Sequence, residues 1–339
     1  GRGPPPRVPA DPGAALWAST CSGEDARTLV AGPGAIGGFV AARLALAGHR
    51  VEVLATPAGR DALAAAPLRL TDDGSEHSVA LDATDDPARA AQADLVVVCV
   101  KSYDTAALAA ALAPHLRPGT SVLSLQNGVD NADRIALAAP HALVGAAAVY
   151  LGCRREAPGR IIRRPSRDPV TGALRDRLAG GGSGALVAHL EWLGHALGVP
   201  VRPMADPRPA LWTKLVANAC LNTVTALGRA RVGAVFARPP AVALMRAIGA
   251  EVVAVARAAG VDLPADAGDR YVADAAGRLP PEGGSSTLFD LQDGRRLERE
   301  ALIGYVVHEG ARRGVPVPVC RACAALLELA DPWQAAGAA

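Results

Sequence analysis

The sequence has no run of 18 apolar residues free of charge, so no transmembrane helix is expected. It has no strong excess of charge either. Lys and Arg number 35 against 33 Asp and Glu, a formal net charge of +2. Nothing therefore draws the whole chain toward nucleic acid or an acidic membrane. Aromatics are few (three Phe, four Trp, four Tyr) and alanine is abundant, which suits close helix packing and a GC-rich coding bias. The six cysteines, at 21, 99, 153, 220, 320 and 323, are scattered. Cys320 and Cys323 form one CxxC with no second pair and no nearby His, so a zinc site lacks ligands. That usage fits a reduced, cytoplasmic protein without a metal. Residues 1–15 are rich in Pro and Gly without periodicity, and 1–26 are expected to be disordered. No signal-peptide core follows them, and the missing initiating Met fits a processed end.

What remains is long enough for two domains, and half of it is apolar. Residues 27–31 read as a strand running directly into Gly32-Pro33-Gly34-Ala35-Ile36-Gly37, with Gly38 added. A helix to about residue 47 and a strand over 49–55 complete a β–α–β unit. Glycines in that context let the backbone approach a pyrophosphate at a helix N-terminus, where N–H groups and the dipole favour an anion. An acid about 20 residues beyond the glycines would accept from a ribose 2′-OH. Positions 54–56 are Leu, Ala and Thr, and no acid occurs before Asp61. NADPH is therefore expected over NADH, with Thr56 and Arg60 near the 2′-phosphate, although Arg60 also reads as a solvated loop residue. Residues 94–100 are a buried parallel strand ending at Lys101. Residues 120–125 are the next, ending at Gln126-Asn127-Gly128. Both polar ends lie where open α/β sheets bind ligands. Another strand is expected over 142–150. The six arginines of 154–167 read as a solvated loop, since no aromatics interleave them. The AGGGSG of 179–184 reads as a flexible spacer, followed by a helix over 186–197 and an edge strand over 199–204.

Beyond about residue 206 only helices are expected: 211–227, 241–259, 264–276, one long helix over 286–313, and 319–330. The first of these, LWTKLVANACLNTVTAL, is apolar almost all round. Its three large polar side chains, Lys214, Asn218 and Asn222, are spaced four apart and form one stripe. A polar stripe on a buried helix lines a ligand cleft; a solvated stripe is the competing reading. The organisation is thus an α/β domain over 27–205 followed by an all-helical domain over 206–333.

These residues carry a resemblance. GPGAIGG, VKSYD at 100–104, LQNGVD at 125–130, the Lys–Asn–Asn helix, SSTLFDLQDGRRLE at 285–298 and VPVP at 315–318 resemble the ketopantoate reductase (2-dehydropantoate 2-reductase) family over roughly 27–330. The resemblance implies a Rossmann-type domain, a helical domain and a cleft between them. It implies NADPH-dependent reduction of a 2-oxo acid, most directly ketopantoate to pantoate in pantothenate and CoA biosynthesis. It also implies Lys214 as catalytic acid with Glu298 as its acidic partner. Asn218, Asn222 and Ser286 take substrate-binding positions, Asn127 lies near the nicotinamide and substrate, and Lys101 is on the cofactor side. The partner is a small molecule, with no nucleic acid or membrane, and a homodimer is the assembly to consider.

The sequence also departs from the family's pattern. Leu297-Glu298-Arg299-Glu300 stands where Thr-Glu-(Ile/Val)-Asp is usual, Ile303 where Asn precedes Gly304, Gly283 where a polar residue is frequent, and Thr56 where Arg follows the second strand. A different 2-oxo acid or an imine is the alternative substrate, with Ile303 favouring a less polar one. A non-catalytic NADP-binding sensor is the other alternative, although a sensor needs no proton donor.

Overall fold

A computed structural model describes residues 26–165, 177–182 and 184–333. Residues 1–25 of the segment expected to be disordered (1–26), the end of the arginine-rich run and Ser183 fall outside them, while Ala26, the last of that segment, is buried.

The alternation begins with β1 (Thr28–Ala31), α1 (Ala35–Leu46), β2 (Val51–Leu54) and α2 (Pro57–Ala65). A hairpin of β3 (Leu68–Asp72) and β4 (Ser75–Val79) leads to β5 (Asp82–Thr84). Then follow β6 (Leu95–Val98), α3 (Thr105–Leu112), β7 (Ser121–Ser124), α4 (Asn131–Ala138) and β8 (Leu143–Tyr150). A second hairpin, β9 (Cys153–Ala157) and β10 (Arg160–Arg163), precedes β11 (Arg177–Gly181), α5 (Gly184–Leu197) and β12 (Val201–Met204).

The main sheet runs β12-β11-β8-β7-β6-β1-β2-β5. Strands β5 to β8 pair in parallel, while β11 joins β8 antiparallel and β12 joins β11 in parallel. Strands β1, β6 and β7 are buried at every position, as sheets covered on both faces require. The chain leaves β1 for β2 on one side and returns to β6 on the other. The ends of β1 and β6 therefore flank a topological switch point, where such sheets bind ligands.

A smaller sheet, β4-β3-β10-β9, covers the far side of α1. A Cβ on Gly38 would overlap Ile161 of β10, so only glycine admits that contact. Arg163, buried on β10, donates to Asp72 at 2.8 Å and lies 5.2 Å from the Phe39 ring centroid. Arg43 of α1 reaches the same Asp72 at 3.5 Å. This corrects the solvated loop expected for the arginine-rich run. Its described part is a β-hairpin turning at Pro158-Gly159, with one arginine paired in the core. The expected spacer is also a strand. β11 packs its glycines against β8, where a Cβ on Gly180 would overlap the Ala146 carbonyl.

After Met204 the described residues are helical. They form α6 (Arg208–Leu227), α7 (Val232–Phe236), α8 (Pro239–Ala258), α9 (Ala267–Arg278), α10 (Ser286–Gln292), α11 (Ile303–Arg313) and α12 (Pro318–Ala330). α6 is the hub, touching α7, α8, α9, α10 and α12 as well as β8 and β11. Val129, Ala146 and Ala148 of the sheet domain join its apolar core. The long helix expected over 286–313 is broken. α10 stops after two turns, Gly294 takes a φ of +66°, and Arg295 folds back to donate from its N–H to the Asp290 carbonyl at 2.8 Å. The break swings Glu298 toward the sheet domain. No helix of the described residues is long and apolar enough to cross a membrane.

Candidate active site

The glycine loop sits at the switch point. Gly32 has a φ of +94°, and a Cβ there would lie 2.8 Å from the Val100 amide nitrogen. A Cβ on Gly37 would overlap the Gly32 carbonyl and come within 2.9 Å of the Cys99 Cβ, so α1 can approach β6 only with glycine there. A Cβ on Gly34 would meet nothing within 4 Å, and no side chain caps the helix at this residue. The loop thus has an open approach to a helix N-terminus, which fits a pyrophosphate. Pro33, Ala35 and Ile36 complete it.

At the end of β2 the structure modifies an expectation. The Thr56 hydroxyl caps α2, accepting from the Gly59 N–H at 3.2 Å. Arg60 is engaged already: Nη1 pairs with Asp85 at 2.6 Å and Nη2 with Asp61 at 2.7 Å. A 2′-phosphate at Arg60 would thus compete with these two carboxylates.

Across the cleft, α6 presents its stripe. Lys214 and Asn218 are partly exposed and Asn222 is buried, beside an exposed Ser286. The Asn222 amide donates to Ser286 Oγ at 3.3 Å. Asn218 Nδ2 reaches Asn127 Oδ1 at 3.5 Å, a weak contact that crosses between the domains. Next to it, Lys101 Nζ donates to Asp290 Oδ2 at 2.7 Å and Glu298 Oε2 at 3.0 Å. Ser102 donates to Glu298 Oε1 from both N–H and hydroxyl at 2.9 Å, its hydroxyl also lying 2.8 Å from the Asn127 carbonyl oxygen. Arg295 Nε closes the string on Asp290 Oδ1 at 2.8 Å. Burial works against ionised Glu298, but Lys101 and the Ser102 donors outweigh it and hold the carboxyl below its ordinary range. Burial likewise opposes the Lys101 ammonium, and Glu298 and Asp290 more than reverse it.

Lys214 differs from Lys101. Among the described residues no carboxylate lies within 4.0 Å of its ammonium, which stands 5.9 Å from the centroid of the Tyr150 ring. Burial lowers its pKa from 10.5 to about 8, with Glu298 pulling weakly the other way. The side chain keeps some exposed surface, so the cleft can deliver a ligand to it. Glu298, expected as the acidic partner of Lys214, has its carboxylate oxygens on Lys101 and Ser102, and it acts on Lys214 through its field. Ile303, expected to border the substrate, is 1% exposed and packs in the helical core. Ser102 and Asp290 were absent from the expected set. Ser102 follows Lys101 at a strand end, and Asp290 lies four residues after Ser286 on one helix face; those positions were the available signals.

The sequence profile of the ketopantoate reductase PanE/ApbA family matches residues 28–175, and that of its C-terminal region matches residues 206–331. The chain belongs to the ketopantoate reductase family. It is accordingly a nicotinamide-dependent oxidoreductase. It is 34% identical to the 2-dehydropantoate 2-reductase of Halobacterium salinarum, covering 90% of this chain and 99% of that one. Among solved structures it resembles a PanE/ApbA family ketopantoate reductase from Ralstonia eutropha JMP134. That match has 35% identity and a TM-score of 0.81, covering 91% of this chain and 99% of that one. A D-mandelate dehydrogenase solved with NADH and anilino(oxo)acetate shares the fold at 18% identity and a TM-score of 0.79, covering 90% and 98%. The fold alone is common to that pair.

Proposed function

We propose that this family member reduces a 2-oxo acid to the 2-hydroxy acid with NADPH, and that ketopantoate, the substrate its curated relatives are named for, is the first to test. The observation that carries the reading is Lys214, an ammonium with no carboxylate within 4.0 Å among the described residues, whose pKa burial lowers to about 8. It stands beside neutral amide and hydroxyl donors, opposite a loop shaped for a dinucleotide.

Gly32–Gly37 would hold the pyrophosphate of a nicotinamide dinucleotide, with Lys101 and Asn127 toward its nicotinamide, and the cofactor would supply the hydride. The remaining chemistry belongs to the chain. As C2 becomes tetrahedral, charge develops on the carbonyl oxygen, and the Lys214 ammonium stabilises it and donates the proton. Asn218, Asn222 and Ser286 can hold a carboxylate and a hydroxyl without adding charge. Ser102 and Lys101 keep Glu298 ionised and away from the proton donor. For the cofactor, the missing acid at 54–56 supports NADPH, while Asp61 and Asp85 around Arg60 limit the preference.

NADPH oxidation followed against a panel of 2-oxo acids, ketopantoate included, tests the reading. Turnover of at least one is expected; none across the panel would leave a non-catalytic NADP-binding protein as the better description.

A further inference from the structure

Phe289 lies on α10, one turn beyond Ser286, and two guanidinium groups converge on its ring. Arg154 of β9 places its Cζ 4.5 Å from the ring centroid, and Arg231, at the start of α7, places its Cζ at 5.3 Å. Arg154 comes from the sheet domain while Arg231 and Phe289 come from the helical one, so the ring stands at the seam between them. The backbone beside Arg231 is anchored: the N–H groups of Val232 and Gly233 donate to the carbonyls of Gly283 and Pro281 at 3.0 and 2.8 Å. Gly284 leaves the space the cluster needs. A Cβ there would lie 3.0 Å from Phe289 Cζ and 3.1 Å from Arg231 Nη1. Both arginines are exposed, and among the described residues neither has a carboxylate within 4.0 Å.

Two like charges against one ring repel each other. The ring face attracts a cation but leaves its in-plane N–H donors open. Each guanidinium is a planar fork that matches a carboxylate or phosphate. Two other cations nearby are already engaged, Lys101 by Asp290 and Glu298, and Arg295 by Asp290 and Asp293. Residues three apart on a helix are neighbours, with Cβ atoms about 5–6 Å apart. A substrate lying between Lys214 and Ser286 would therefore extend its far end toward Phe289.

We propose that Arg154 and Arg231 form a second anion subsite that holds a distal acidic group of the substrate, so that this chain favours dianionic 2-oxo acids. The proposal rests on the reductase reading and narrows its substrate class. The balance is that of any 2-oxo acid reduction. C2 gains a hydride from a nicotinamide donor, the carbonyl π pair moves to oxygen, and Lys214 protonates that oxygen and regains its proton from water. A distal hydroxyl could accept from either fork but would neutralise neither.

The test compares 2-oxoglutarate with 2-oxopentanoate, which has the same chain length and no second carboxylate. Steady-state kinetics would use the parent protein, Arg154→Gln and Arg231→Gln, with far-UV CD to confirm folding. The parent should favour the dicarboxylate in kcat/KM by about tenfold or more, and each variant should erode that ratio mainly through KM, as losing a charge-assisted hydrogen bond would. Equal values in the parent, or variants that depress both acids alike, would overturn the subsite. Calorimetric titration with 2-hydroxyglutarate and 2-hydroxypentanoate separates this failure from failure of the reductase reading. Arginine-dependent selectivity for the diacid without any turnover would uphold the subsite and remove the reductase. No selectivity in the titration would remove the subsite, whatever the turnover.

Discussion

A lysine that must give up a proton during turnover is helped by a pKa near the working pH, and Lys214 has one. Burial lowers it from 10.5 to about 8. Reduction needs the ammonium, so kcat should be full below about pH 8 and fall by about tenfold per unit above it. The reverse oxidation needs the free amine and should rise over the same range. Glu298 is the influence that raises this pKa, so Glu298→Gln should move the alkaline limb of a pH–rate profile to lower pH; an unmoved or higher limb would remove Glu298 from this role. Lys214→Ala should lower kcat by about 10² or more while NADPH affinity, read by fluorescence titration, stays near the parent value. A folded Lys214→Ala with parental turnover would mean that the proton comes from elsewhere. The cofactor preference is testable at the two carboxylates that hold Arg60, Asp85 at 2.6 Å and Asp61 at 2.7 Å. The double variant Asp61→Asn/Asp85→Asn should free that cation and raise the NADPH-to-NADH ratio of kcat/KM several-fold, by about the strength of a surface ion pair. A ratio that falls would mean that these carboxylates position Arg60 for the 2′-phosphate rather than compete with it.

Elements with strong side-chain periodicity were legible in the sequence. β6 is a continuous apolar run, β1 and β7 have apolar centres edged by Thr28 and by Ser121 and Ser124, and α6 carries its large polar side chains Lys214, Asn218 and Asn222 four apart. Both were readable because burial on all sides leaves a compositional trace. The strand of glycines was not. β11 gains its place from backbone contact with Ala146 and Ala147, and a residue without a side chain leaves no alternation to read. The small sheet was hidden by charge. Arg163 looks solvated until Asp72, 91 residues away, is brought beside it. The expected helix over 286–313 failed for a local reason, since Gly294 could be tolerated in a helix or break it, and the ion pairs of Asp290 and Glu298 favour the break. The partners that Glu298 takes could not be read in one dimension, because Lys101 and Ser102 lie on the other domain. The glycine loop offers a contrast at this scale. Gly34→Ala meets open space, so its melting temperature should stay near the parent value while a methyl group in the phosphate approach weakens NADPH binding. Gly37→Ala drives a methyl into the Gly32 carbonyl and should lower both. If the two variants behave alike, the loop is not read by its sterics.

The whole molecule is two bodies joined at the cleft by an apolar seam and a polar string. Lys101 is the link, with about a third of its side chain exposed (36%) and two buried carboxylates depending on it. Removing one partner of a fully buried pair costs about 3–5 kcal/mol, and partial exposure here reduces that, so Lys101→Ala should destabilise by about 1–3 kcal/mol in denaturant unfolding. An unchanged midpoint would mean that water satisfies Asp290 and Glu298 equally well. The string also has a pH sense. Folded Glu298 ionises below its usual range, so its contribution is present above the unfolded value near 4.5 and is lost as pH falls through the folded value. Helix α1 has a further consequence. It is held on one face by the main sheet and on the other by β3 and β10, with Gly38 against Ile161 and Arg43 tied to Asp72. The small sheet acts as a splint for the helix that receives the phosphates. The cradle then needs little reorganisation when a dinucleotide arrives, and damage to the splint would be felt as slower capture, far from any atom that touches the ligand.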